Sequence, residues 1–153
     1  MTLLCLRARL AAMSDLELAR EIFDSEQLSF ALVKEGRLLA RGYRDGVGEL
    51  LAAVEALGTE TEGAALADKI VGKAVAMIAA YAQVRAVYTP LASEAAAAAL
   101  EQYQIEFTAD RIVPLIRNRR NDGPCPMEKL TLPILDPSEA VSALQNFVAA
   151  VRL

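Results

Sequence analysis

Apolar residues recur along this chain in two periods, and the switches between them mark out its elements. Leu16, Ala19, Ile22 and Phe23 return at helical spacing, which predicts a helix over about residues 15–23. Ser14-Asp15-Leu16-Glu17 reads as a capping box at its start. Ser29–Val33 and Arg37–Arg41 then predict a hairpin around Lys34-Glu35-Gly36, with Gly36 supplying the positive φ of a tight turn. Val47, Leu50, Leu51, Val54 and Leu57 predict a second helix, ended by Gly58.

After a polar connection at Thr59–Gly63, Leu66, Ile70, Val71, Ala74, Val75, Met77 and Ile78 predict a long helix over about Ala64–Ala82. Its apolar surface is wide enough that we expect a central helix buried against the sheet. Gly72 inside it lowers helix stability by roughly 1 kcal/mol relative to Ala, which we ascribe to close packing. Val84–Thr89 reads as a strand stopped by Pro90, Ala92–Tyr103 as an alanine-rich helix and Ile105–Thr108 as another strand. Residues 109–124 read as irregular, Cys125–Leu130 as a helical turn, and Asp136-Pro137-Ser138-Glu139 as the opening of a last helix. The expected inner face of that helix is Val141, Leu144, Phe147, Val148 and Val151. A hairpin followed by helices and a strand–helix–strand unit argues for an α/β protein, with a mixed sheet in a three-layer α/β/α sandwich. We expect one domain over residues 14–153, with residues 1–13 an N-terminal extension and Met13 a candidate natural start.

Composition narrows the chemistry. Of 153 residues, 54% are apolar and 24% charged, which suits a folded domain rather than a disordered chain. A net charge of −4 argues against general nucleic-acid binding, because neutralising phosphates needs a positive face. No apolar run approaches the roughly 20 residues of a membrane span, and two cysteines, Cys5 and Cys125, suit a reducing cytoplasm better than a disulfide scaffold. The chain has no histidine. That removes Ser-His-Asp and Cys-His catalysis and every His-containing zinc site, and two cysteines cannot supply an all-cysteine one.

Leu66-Ala67-Asp68-Lys69-Ile70-Val71-Gly72-Lys73-Ala74 and Cys125-Pro126-Met127-Glu128-Lys129-Leu130, with the Leu32–Gly36 hairpin and Asn118-Arg119, resemble the family called domain of unknown function 1893 over about residues 28–136. The resemblance implies a cytidine-deaminase-like fold and no established activity. A deaminase carries His-x-Glu or Cys-x-Glu at the start of its central helix and Pro-Cys-x-x-Cys after the next strand. We place Ala67-Asp68-Lys69 and Thr89-Pro90-Leu91-Ala92-Ser93-Glu94 at those points, so neither ligand pair is present and zinc-activated water does not carry over.

The candidate site follows from the same segments. On this reading Asp68, Lys69 and Lys73 lie on the central helix, with the two lysines one turn apart to bind an anion or polarise a carbonyl. The plain alternative is a solvated helix face on which Asp68 complements the dipole. Cys125, before Pro126, is an N-cap thiol near Arg119, Arg120 and Lys129, a setting that favours a thiolate. It reads as a nucleophile, a redox-sensitive thiol or part of an anion-binding turn, or else as a small buried cap. Glu128 is spaced to bond back to the Cys125 amide. Asn118 and Arg119 suit a phosphate or carboxylate, while Arg120 is expected to be solvated. Asp68, Asp122 and Glu128 carry oxygens that suit Mg²⁺, but at no recognised spacing, so no metal or cofactor is expected. Asp68, Lys69 and Cys125 are then the catalytic candidates, and Lys73, Asn118, Arg119 and Glu128 the binding ones. The expected function is binding of a nucleotide-like or phosphorylated small molecule, with non-zinc catalysis open. The alternative is a silent regulatory or scaffold module, a homodimer through the alanine-rich helix.

Overall fold

The computed structural model describes residues 13–151. Residues 1–12, with Cys5 and most of the expected extension, lie outside them. Helix α1 (Asp15–Glu26) starts as expected, with Ser14 Oγ accepting the Glu17 N–H at 3.1 Å. Strands β1 (Phe30–Lys34) and β2 (Arg37–Gly42) form the hairpin, whose turn residues Glu35 and Gly36 both have positive φ. Asp15 holds that turn, its two carboxylate oxygens each accepting one turn N–H at 2.9 Å. Helix α2 (Gly48–Leu57) also follows the periodicity.

The long helix expected over Ala64–Ala82 is not formed. Its first half is strand β3 (Ala65–Asp68) and a short β4 (Ile70–Val71), and only Lys73–Tyr81 is helical, as α3. Ala64, Ala65, Leu66 and Ala67 are all buried because β3 is covered on both faces, and such a strand is apolar throughout rather than alternating. An unbroken apolar run fits either period. Gly72 is therefore the N-cap of α3, not an interruption within a helix.

Strand β5 (Ala86–Ser93) also runs past its expected end at Pro90. Ala67 pairs with Tyr88 and Ile70 with Leu91, so β3 and β4 are one strand, in one register, broken where Lys69 faces Pro90. A proline has no N–H to give a ladder and is usually confined to edges or irregularities. Here the neighbouring strand loses its pairing at the same place. Helix α4 (Glu94–Gln102) starts two residues later than expected, capped by Ser93 Oγ on the Ala96 N–H at 3.1 Å. Strand β6 (Glu106–Val113) takes up the first part of the segment expected to be irregular.

The sheet order is β2-β1-β3-β5, with β6 on the far side of β5; β1 is antiparallel to both neighbours, and β3, β5 and β6 are parallel. One face carries α1 over Ala31, Val33, Ala67 and Tyr88. The other carries α2, α3, α4, α5 (Pro126–Thr131) and α6 (Pro137–Val151), around Leu32, Leu66, Met77, Ile78, Val87, Leu100 and Leu144. The expected three-layer mixed-sheet sandwich is thus present, with its layers unequal. One detail of its helices differs from expectation: Val151 is 65% exposed rather than on the inner face of α6. In the alanine-rich helix Ala96 and Ala99 are buried in the protein's own core. Among the described residues no helix is long and apolar enough to cross a membrane.

Candidate functional site

At the strand break and the carboxyl end of β3 lies a cavity of about 510 Å³, within the range of small-molecule sites. Its walls come from Ser29 before β1, Asp45–Val47 before α2, the segment from Asp68 into α3, and the stretch from Ile116 to Glu128. The loop after β6, a short antiparallel bridge between Arg117 and Pro124 included, folds back over this end of the sheet.

Asp68 is the last residue of β3 and is 9% exposed. Its Oδ1 accepts the Ile70 N–H at 3.2 Å, a local turn that serves a main-chain donor at the break. Oδ2 has no hydrogen-bond partner among the described residues. Burial pushes the carboxyl up to about 8, against the opposing pull of the Ile70 and Lys69 amides, so Asp68 is a neutral acid at pH 7. Ser29, also at the cavity, has a buried hydroxyl with no partner among the described residues.

Glu128 is the other buried carboxyl, at 1% exposed, and its surroundings are the opposite. Oε1 accepts the Lys73 N–H at 2.9 Å and the Ser93 hydroxyl at 2.7 Å, and Oε2 accepts the Ile116 N–H at 2.6 Å. Those donors stand at the N-termini of α3 and α4 and in the loop after β6, so one side chain ties three segments to α5. Gly72 is glycine for this reason. A Cβ there would stand 3.2 Å from Oε1 and 3.3 Å from Ile116 Cγ1. The expected bond from Glu128 to the Cys125 amide is not made, because that amide donates to the Ile116 carbonyl at 2.8 Å.

The basic groups lie at the mouth. Lys69 Nζ is 3.4 Å from Asp45 Oδ1, and Arg119 reaches Asp45 Oδ2 at 3.9 Å with its side chain 89% exposed. Arg117 and Arg120 border the same opening. Arg120, expected to be merely solvated, is exposed but shares the cavity. Asn118 touches the cavity yet uses its side chain on Asp122, donating to Oδ1 at 2.8 Å and accepting the Asp122 N–H at 3.2 Å. Cys125, half-buried, is the N-cap of α5 as expected and lines the wall.

Six of the seven sequence candidates thus border one cavity: Asp68, Lys69, Asn118, Arg119, Cys125 and Glu128. Lys73 does not. Its ammonium donates to the Leu132 carbonyl at 2.7 Å, burial pulls it below its ordinary value, and only its backbone N–H, on Glu128, bears on the site. Lys69 and Lys73 are not a helical turn apart, since Lys69 sits at the strand break. The sequence reading missed Ser29, Ser93 and Asp45.

Among the described residues no three His, Cys, Asp or Glu side chains are grouped to share a metal ion. Asp122 is bonded to Asn118, and both oxygens of Glu128 are taken, so the oxygen set considered for Mg²⁺ is not assembled. The place of the deaminase ligand pairs also moves. The helix starts are Gly72-Lys73-Ala74 and Ser93-Glu94, and Glu128 bonds both. Zinc does not fit there: no thiolate or imidazole is supplied, and hydrogen-bond donors already occupy the nearest carboxylate.

A family model described as "Domain of unknown function (DUF1893)" matches residues 18–148. The fold matches a DUF1893 family protein from Thermotoga maritima with TM-score 0.76 and 23% identity, over 95% of this chain and 91% of that one. A dCMP deaminase from the cyanophage S-TIM5, solved with dCMP and dUMP, aligns at TM-score 0.45 and 13% identity over 71% of this chain and 98% of its own. A diaminohydroxyphosphoribosylaminopyrimidine deaminase/reductase from Thermotoga maritima aligns at TM-score 0.41 and 20% identity, over 54% of this chain and 29% of its own. A comparison with curated proteins finds no significant match.

Proposed function

The chain belongs to the DUF1893 family, as its sequence motifs led us to expect, and from that premise we propose that it binds a nucleotide-like or phosphorylated small molecule in the cavity beside Asp68. The observation that carries this reading is the division of the cavity: a buried carboxyl with one engaged oxygen at its floor and cations at its mouth. Lys69 and Arg119 share Asp45 as their partner. Exposed pairs of this kind contribute roughly 0–1 kcal/mol, so an anionic ligand displaces Asp45 at little cost. Bidentate arginine then favours phosphate or carboxylate. Catalysis stays open, with Cys125 as the nucleophile candidate.

The test is thermal unfolding of the full chain with ribose 5-phosphate and with nucleoside monophosphates. A ligand at a hundred times its dissociation constant stabilises the fold by about 2.7 kcal/mol, and for a chain of this length each kcal/mol moves Tm by roughly 2–4 °C. The expected result is a shift of that size, lost in a Lys69→Ala, Arg119→Ala double variant that melts like wild type without ligand. No shift with any of these compounds sinks the proposal. For the assembly alternative the alanine-rich helix offers Ala98 on its exposed side, while Ala96 and Ala99 pack inward.

A further inference from the structure

We propose that the Asp68 carboxyl reads the edge of a planar heterocycle, pairing side by side with an adjacent donor and acceptor such as the amide or amidine edge of a nucleobase. This rests on the binding reading above and names the part of the ligand that the cavity floor recognises. The geometry supplies three observations. Asp68 borders a cavity large enough for a base and sugar, it is nine-tenths buried, and only one of its oxygens is engaged. Asp68 ends β3 just before the break between Lys69 and Pro90, at the end of the strand where the cavity opens. A carboxylic acid offers one O–H donor and a carbonyl acceptor side by side, which matches an N–H next to a ring nitrogen or carbonyl. Oδ1 keeps a second lone pair after serving Ile70, so the pairing leaves the turn intact.

A carboxylate at the same place would call for a cationic ligand, but the surrounding charges argue against one. Lys69 follows Asp68 directly, Arg117, Arg119 and Arg120 come from the loop after β6, and Asp45 and Glu128 are already engaged by cations and by amides respectively. A ligand with an anionic end at the mouth and a neutral ring at the floor satisfies both regions. Ser29 also borders the cavity, but its hydroxyl is buried against Gly42 and is not offered to the ligand.

The experiment is calorimetric titration of CMP, AMP and UMP, with ribose 5-phosphate as the baseless control, from pH 7 to pH 9. A Cys125→Ser background takes the thiol lining the cavity out of the pH profile. If only the protonated acid binds, affinity falls with its population, by about tenfold between pH 7 and pH 9. Asp68→Asn keeps a donor and an acceptor in the same plane but does not titrate. It is expected to bind the mononucleotides within a few-fold of the parent and to lose the pH dependence. Ribose 5-phosphate binding as tightly as every mononucleotide overturns this inference and leaves the binding proposal standing. Loss of mononucleotide binding in a folded Asp68→Asn shows that the anion is needed and overturns it too. Silence from all four compounds removes the binding proposal and this inference together.

Discussion

Replacing Glu128 by Gln tests whether the core of the site is held as its geometry implies. Gln matches Glu in shape but offers one acceptor oxygen and one NH₂ group. With the oxygen placed at Oε1, the Lys73 N–H and Ser93 hydroxyl keep their acceptor, and the NH₂ faces the Ile116 N–H across a present separation of 2.6 Å. With the amide flipped, Ile116 is satisfied and Ser93 can turn to accept, but the Lys73 N–H at the start of α3 faces a donor. Either way one buried main-chain donor is orphaned, at about 1–3 kcal/mol, and the surviving bonds lose their charge assistance. Removing negative charge from the α3 N-terminus subtracts roughly another 0.3–1 kcal/mol. Relief from burying a charge works in the opposite direction, which brings the net destabilisation to about 3 kcal/mol. For a domain of this length that lowers Tm by roughly 6–12 °C. Thermal and urea unfolding of both proteins at pH 7 read the difference directly. A Glu128→Gln protein as stable as wild type refutes the reasoning, since the three bonds would then not outweigh the cost of burying the carboxylate.

Two further predictions come from the same wall. In the folded chain Asp68 holds its proton up to about 8, whereas unfolded it releases it near its ordinary value. The folded state therefore binds more protons across that interval, and this group's contribution falls as pH rises, by at most about 1.4 kcal/mol per unit, then levels off above 8. Asp68→Asn should thus gain in Tm relative to wild type from pH 5 to pH 8 and gain no more beyond; a constant difference would show that Asp68 does not titrate in that window. Gly72→Ala places a Cβ 3.2 Å from Glu128 Oε1 and puts a poorer residue at an N-cap. Its expected cost is about 1–2 kcal/mol, part of which disappears in a Glu128→Ala background because the clash disappears. Strict additivity in that double-mutant cycle would mean that Gly72 is not there to accommodate Glu128.

What the sequence made legible divides along local and non-local lines. The hairpin follows from its turn residues around Gly36, and α1, α2 and α6 follow from periodicity, because each of these helices has one buried and one exposed face. The segment from Ala64 to Val71 does not, since a strand covered on both sides loses the alternation that distinguishes it from a helix. Pro90 misled for a related reason. Proline forbids a ladder bond but not a strand, and the register that sets Lys69 opposite it is invisible in either segment alone. Motif resemblance put Asp68, Lys69, Asn118, Arg119, Cys125 and Glu128 among the candidates, although Asp68 and Lys69 were assigned to the wrong element. The role of Glu128 was not legible, because its donors are 55, 35 and 12 residues distant in the chain.

The two buried carboxyls explain each other. Glu128 is surrounded by three donors, so the fold relies on it and leaves it no capacity for a ligand. Asp68, with one donor and an idle oxygen, weakens the folded state increasingly as pH rises from its ordinary value to about 8. A chain selected for stability alone would place an amide or an apolar residue at the end of β3. Local rules are broken most informatively where the break has no structural return, and such places are the candidates for function. By that argument the site is to be sought at Asp68 and the mouth above it, with Glu128 as the group that holds the wall in place.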